Sequence, residues 1–158
     1  MTPVIRPATP ADVPLILTFI RALAEYEHLL PEVEATEARL HATLFGPRPA
    51  AECALAFTPA GEPAGFAVYF TNYSTFLGQP GLYLEDLFVS PAHRGQGCGR
   101  ALLLHLAHLA NQRGCGRLEW AVLDWNQPAI DFYESLGAER KSDWTICRLT
   151  GERLRRLG

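Results

Sequence analysis

No uncharged apolar run in the chain approaches the ~18 residues that a bilayer-spanning helix needs, so no membrane partner is expected. Cysteine is sparse: Cys53, Cys98, Cys115 and Cys147 stand 45, 17 and 32 positions apart. They form no C-x-x-C pair, which excludes the usual zinc and dithiol motifs and points to free thiols in a reducing cytoplasm. Basic residues give no excess either, with 14 Lys+Arg against 17 Asp+Glu and a net charge of −3. That balance argues against a generic basic nucleic-acid binder. Met1-Thr2-Pro3-Val4 matches neither a signal peptide nor a myristoylation site. Repeats, low-complexity tracts and linkers are also missing. What is present is 158 residues with 48% apolar content. One domain over 1–158 is expected, large enough to bury roughly 70% of its unfolded surface.

The charge is uneven. Residues 21–40 carry Glu25, Glu27, Glu32, Glu34 and Glu37 against Arg21 and Arg39, whereas residues 140–158 carry six Lys/Arg against Asp143 and Glu152. A short strand is predicted over Val4–Arg6. Thr9-Pro10-Ala11-Asp12 reads as a helix start, and Leu15, Ile16, Phe19, Ile20 and Leu23 follow as one apolar face, ending before Pro31. Thr36 caps a second helix to about Phe45. Runs 53–58 and 65–73 read as a β-hairpin, followed by a strand over 82–89. A helix over 101–113, a strand over 117–124, a helix from Asn126 ended by Gly137, a last strand over 144–149 and a short basic helix complete the order. The fold class is α/β (α+β) with a mixed sheet.

Between the third strand of this meander and its helix lies Arg94-Gly95-Gln96-Gly97-Cys98-Gly99. Glycines at such a junction expose backbone N–H groups at the positive end of a helix dipole, a ready anion site, although a plain flexible turn has the same composition. A Walker loop is excluded because Arg100-Ala101 follow Gly99, and the dinucleotide spacing Gly-x-Gly-x-x-Gly fails at Arg100 and Leu102. The run 82–89 is unusual in another way. Strict alternation places Leu82, Leu84, Asp86 and Phe88 on one face and Tyr83, Glu85, Leu87 and Val89 on the other. Both faces are mainly apolar, yet each carries a carboxylate, which must be paired, neutral or facing a cavity. A structural ion pair and a general base of raised pKa both fit. Tyr133, one turn after Ile130, fits a core position or a functional one.

The loop Arg94–Gly99 resembles the pyrophosphate loop of the GNAT acetyltransferase superfamily, Arg/Gln-x-x-Gly-x-Gly/Ala. Asn126-x-x-Ala129-x-x-x-Tyr133-x-x-x-Gly137 resembles its second mark. Ile5-Arg6-Pro7-Ala8-Thr9, Leu23-Ala24-Glu25-Tyr26-Glu27 and Leu82-Tyr83-Leu84-Glu85-Asp86-Leu87-Phe88-Val89 are similar to the spermidine/spermine acetyltransferase branch. The resemblance implies the GNAT acyl-CoA N-acyltransferase fold and acetyl-CoA as co-substrate. It implies that Leu87, Phe88, Val89, Arg94, Gly95, Gln96, Gly97, Cys98, Gly99, Arg100, Asn126, Pro128 and Ala129 bind it. Tyr133 is then the proton donor to the departing CoA thiolate. Glu85 is the base that takes a proton from the incoming ammonium through water, and backbone groups of Leu87 and Val89 polarise the thioester carbonyl. Tyr26, Glu27, Glu85, Asp86, Glu119, Trp120 and Trp144 would bind the acceptor amine, Asp86 as a cation contact.

The acceptor expected from the branch is a polyamine or small diamine, acetylated by direct attack in a ternary complex. Leu29-Leu30-Pro31 interrupts the acidic stretch, which keeps thialysine or lysine-like acceptors, or a protein amine, in contention. A non-catalytic acyl-CoA sensor is the rival of another class, disfavoured by the presence of both Glu85 and Tyr133. Cys98 reads as a small hydrophobe. His105 and His108 lie one turn apart without a third ligand, so no metal is expected. A homodimer is a family expectation.

Overall fold

The computed structural model describes residues 2–158. The chain divides into two compact units, the first ending at Ala121 and the second spanning Val122–Gly158.

The first unit is built on one five-stranded sheet in the order β1-β2-β3-β4-β5. Its strands are β1 (Val4–Pro7), β2 (Glu52–Phe57), β3 (Pro63–Ser74), β4 (Gln79–Val89) and β5 (Leu118–Trp120). Neighbours pair antiparallel except β4 and β5, which run parallel over Leu82–Leu84 and Leu118–Trp120. The sheet is therefore mixed, as the element order implied. Between β1 and β2 come α1 (Val13–Tyr26) and α2 (Glu37–Phe45), and between β4 and β5 comes α3 (Cys98–Gln112). One face of the sheet presents Cys53, Leu55, Phe66 and Phe88, which pack with Val13, Ile16, Leu17 and Phe19 of α1 and Leu40 of α2. Phe19 stacks on Phe66 with ring centroids 5.5 Å apart. The opposite face carries the small, fully buried residues Ala54, Ala56 and Ala67. There α3 packs through Leu102, Leu103, Leu106 and Ala110. Small side chains under α3 let its backbone approach the sheet closely.

Local signals set the helix ends. Before α1, Pro10–Asp12 forms a single 3-10 turn, and the Thr9 N–H donates to the Asp12 carboxylate at 2.7 Å. Arg6 grips the same carboxylate with two bonds of 2.7 and 2.9 Å. This pair holds the Asp12 carboxyl far below the usual range. Its stabilisation is complete above about pH 4 and is lost as the pH falls through the depressed value. Asp12→Ala is expected to cost about 1–2 kcal/mol near neutral pH in urea unfolding, with the difference shrinking in acid. Thr36 caps α2 by accepting from the Arg39 N–H at 3.2 Å. At the end of α1, His28 takes the left-handed conformation (φ 61°) and the Leu29 N–H reaches back to the Ala24 carbonyl at 2.7 Å. The connection after α1 is thus a closed helix cap rather than a loose loop.

The second unit contains α4 (Gln127–Ser135) and α5 (Gly151–Arg155). The expected strand over 117–124 is shorter, ending at Trp120. The expected last strand over 144–149 does not form: residues 145–150 are irregular and exposed, because no neighbouring strand supplies a ladder for them among the described residues.

Candidate active site

The glycine loop lies directly ahead of α3. Gly95 and Gly97 have φ of 74° and 84°, and a Cβ at either would meet nothing within 4 Å. Their backbone conformation, not crowding, selects glycine, and the space beside them is open. The helix begins at Cys98, three residues earlier than the apolar periodicity indicates. Its first intrahelical bond runs from the Ala101 N–H to the Gly97 carbonyl at 2.9 Å, and no side chain caps the end. The N–H groups of Cys98, Gly99 and Arg100 therefore have no acceptor within the helix, at the positive end of a 15-residue dipole. A diphosphate fits this cradle. Cys98 is buried, which pushes its thiol pKa up, so it packs as a small apolar residue.

Arg94, before the first glycine, is held twice. Its Nε donates to the Val89 carbonyl at 3.0 Å, and its guanidinium lies 4.7 Å from the centroid of the Tyr26 ring. Gln96 is exposed and donates to the Ala92 carbonyl at 3.2 Å.

The central strand departs from simple alternation. Val68 pairs with Asp86 but Tyr69 pairs with Leu84, so Glu85 is an extra residue, a β-bulge in β4. The faces exchange there. Leu82 and Leu84 pair with Thr71 and Tyr69 on the α3 face, whereas Asp86 and Phe88 pair with Val68 and Phe66 on the α1 face. The expected grouping of Leu82, Leu84, Asp86 and Phe88 on one face is thus corrected. Hydrogen-bond phase changes too. Before the bulge, the Leu82 N–H points to β5, donating to the Arg117 carbonyl at 3.0 Å. After it, the Ser90 N–H donates to the Ala64 carbonyl at 2.8 Å, which assigns the even-numbered residues to β3. The N–H groups of Leu87 and Val89 consequently turn to the other edge, where β5 has already ended.

Burial separates the two carboxylates. Glu85 is exposed, so the expectation of a buried Glu85 is not met. The bulge that displaces it carries Asp86 inward. No hydrogen bond or ion pair reaches the Asp86 carboxylate among the described residues. Desolvation, with the charges of Glu85 and Glu27, pushes its pKa up to about 6. Glu27 follows α1 and is itself shifted upward by burial. Of the acidic stretch, only Glu27 joins this cluster; Glu25, Glu32, Glu34 and Glu37 are exposed. Tyr83 also lies on the α1 face, its hydroxyl pKa raised by burial and by Glu85 and Glu119.

The register places Glu119 beside Tyr83 and Trp120 beside Leu84, hence on opposite faces of the sheet. Glu119 and Trp120 do not line one groove with both side chains. Glu119 is already engaged, with Arg117 Nε at 2.9 Å and Asn72 Nδ2 at 3.3 Å.

Within the second unit, Asn126 is buried and caps α4, its side chain accepting from the Ala129 N–H, with Pro128 in the first turn. Gly137 (φ 91°) closes the helix, and the Ala138 N–H donates to the Tyr133 carbonyl at 3.2 Å. Tyr133 is half-buried, its ring 5.4 Å from that of Phe132. Trp144 is exposed. Asp86 was expected as a cation contact, but the half-burial that sets it apart from Glu85, the contact of Arg94 with Tyr26 and the exchange of faces at Glu85 escaped sequence reasoning. Only the crowding of two acids into an apolar strand hinted at them.

A mixed sheet whose fourth strand bulges ahead of a glycine-led helix start is the fold of an N-acetyltransferase. The chain belongs to the acetyltransferase (GNAT) family, whose model matches residues 20–138, across the boundary between the two units. It is similar to the thialysine N-epsilon-acetyltransferase of Bos taurus, at 40% identity over 97% of this chain and 95% of that protein. Similarity to the L-ornithine N5-acetyltransferase of Arabidopsis thaliana is 35% over 97% of this chain and 86% of that protein. The spermidine/spermine N(1)-acetyltransferase-like protein 1 of Homo sapiens is 35% identical over 95% of this chain but only 23% of that protein. Among solved structures, an integron cassette protein of V. cholerae superposes with a TM-score of 0.80 at 28% identity, covering 99% of this chain and 98% of that one. GNAT enzymes use acetyl-CoA as co-substrate. Among the described residues no group of three or more His, Cys, Asp or Glu could hold a metal ion, and no helix is long and apolar enough to cross a membrane.

Proposed function

We propose that this chain transfers the acetyl group of acetyl-CoA to the terminal side-chain amine of a thialysine- or ornithine-like amino acid. The observation that carries the reading is the convergence of Asp86, Glu85 and Glu27 at the β4 bulge, beside the strand edge to which Leu87 and Val89 turn their N–H groups. In this reading Gly95–Arg100 and Arg94 hold the diphosphate, with Gln96, Phe88, Asn126, Pro128 and Ala129 completing the co-substrate contacts. The Leu87 and Val89 backbones receive the arm and the charge developing on the thioester oxygen. Asp86, with Glu27 beside it, holds the acceptor ammonium. Glu85, exposed at the bulge, takes the ammonium's proton through water, because only the neutral amine attacks. Tyr133 returns a proton to the departing thiolate. Tyr133, Asn126, Pro128 and Ala129 enter through their match to the family motif.

A compact acidic cluster suits one or two neighbouring cations. A long polyamine would draw on acids spread along the groove, whereas most of the acidic stretch is solvated. Polyamines and small diamines are therefore the second reading, supported by the resemblance of Leu82–Val89 to the spermidine/spermine branch. A panel of thialysine, ornithine, lysine, putrescine, spermidine and a lysine peptide, scored for CoA release, separates them. The amino acids are expected to exceed spermidine in kcat/KM by about tenfold or more, the scale of one well-placed charged contact. Preference for spermidine or the peptide reverses the assignment, and CoA binding without release on any amine leaves a sensor.

A further inference from the structure

The Arg94 guanidinium lies over the ring of Tyr26, the last residue of α1, 4.7 Å from its centroid. Phe88 adds a second aromatic contact, with the guanidinium 5.8 Å from its ring centroid. The Nε bond to Val89 fixes the remaining direction. Face and inner edge are thus both committed, while the outer Nη edge makes no hydrogen bond among the described residues. An arginine in this state has already lost much of its rotamer freedom, so an anion meeting the Nη edge does not have to order it. Tyr26 immediately precedes Glu27, whose carboxylate belongs to the acidic cluster around Asp86. One aromatic ring therefore joins the phosphate loop to the helix that carries part of the acceptor site.

We propose that Tyr26 is a positioning residue for Arg94, presenting the Nη edge to the diphosphate and coupling co-substrate binding to acceptor binding. The inference rests on the reading that Arg94–Arg100 hold the CoA diphosphate. A cation over an aromatic face is attracted by the ring's quadrupole, and tyrosine and phenylalanine both supply that face. By linkage, whatever steadies Tyr26 from the acceptor side tightens CoA, and CoA tightens the acceptor by the same factor.

Calorimetric titration with CoA, in the absence of amine, tests this on the full chain. Tyr26→Leu, which keeps apolar bulk without a π face, is expected to raise the CoA Kd about three- to tenfold. Tyr26→Phe should remain within about twofold of the parent, a rescue that a role of the hydroxyl would not allow. In an Arg94→Ala background, Tyr26→Leu should add no further loss, since its effect runs through the guanidinium. Parent-like binding by Tyr26→Leu, or an undiminished loss without Arg94, overturns the positioning role. If the parent itself does not bind CoA, the diphosphate reading of the loop fails instead.

Discussion

Tyr133→Phe is expected to lower turnover about 10²- to 10³-fold with little change in the CoA Kd, the range of a lost general acid. The substitution deletes one hydroxyl and keeps the ring beside Phe132, so the packing of α4 is retained. The cap at Asn126, the Gly137 turn and the buried Ile130 are untouched, and stability should change by less than about 1 kcal/mol. A large fall in kcat and in kcat/KM together marks an interaction made only in the transition state. The comparison is made by stopped-time CoA-release assays on parent and variant, with calorimetry for CoA. Turnover equal to the parent's removes Tyr133 from the reaction. A loss confined to KM makes it a binding residue.

Asp86→Asn should lower kcat/KM for the amine about 10²-fold, the scale of removing one partner from a buried charge contact. The same change should make the fold more stable near neutral pH. Asp86 has its pKa raised to about 6 by burial and by like charges, against an ordinary 3.8. A carboxyl with a higher pKa in the folded state binds more protons there than in the unfolded chain. Its favourable balance is complete below about pH 4 and is lost as the pH rises through about 6. Above that, the ionised group costs the fold on the order of 2–3 kcal/mol, which the neutral amide does not. A gain of about 5 °C in Tm at pH 7.5 that fades by pH 4 is therefore expected. The wild-type rate should rise with pH through about 6, as the carboxylate ionises to hold the ammonium, and the variant should lose that limb. A structural carboxylate behaves oppositely: its removal lowers Tm and leaves the kinetics alone. Observing that pattern would return Asp86 to the scaffold. Stability sacrificed at one residue while activity depends on it is the mark of a working site.

The same cluster bears on specificity. On the proposed reading, ornithine or thialysine would present a terminal ammonium on a short chain to the carboxylates that the bulge concentrates within one small region rather than along the 25–37 stretch. On the same reading, the solvated glutamates of that stretch would add a general negative field, which raises encounter rates of cations without selecting among them.

Much of this protein was determined by sequence alone, wherever the governing forces act over a few residues. Thr36, Asn126 and Gly137 mark helix ends because caps and left-handed turns are satisfied by neighbours three to five positions away. The Arg94–Gly99 run could be read as an anion cradle because positive φ and open N–H groups are properties of the loop itself. Five of the six expected strands form, and the mixed sheet follows from their apolar runs and the long crossover through α3. Only the tertiary structure decided which carboxylate is drawn inward and half-buried. A two-residue period holds while the ladder is unbroken, and the bulge at Glu85 exists only in the pairing of β4 with β3. That one extra residue exchanges every face beyond it, turning Asp86 toward α1 and leaving Glu85 to solvent. The pairing of Glu119 with Tyr83 and the seating of Arg94 on Tyr26 have the same origin. Each is a contact between segments far apart in the chain, brought together when the sheet and its helices pack.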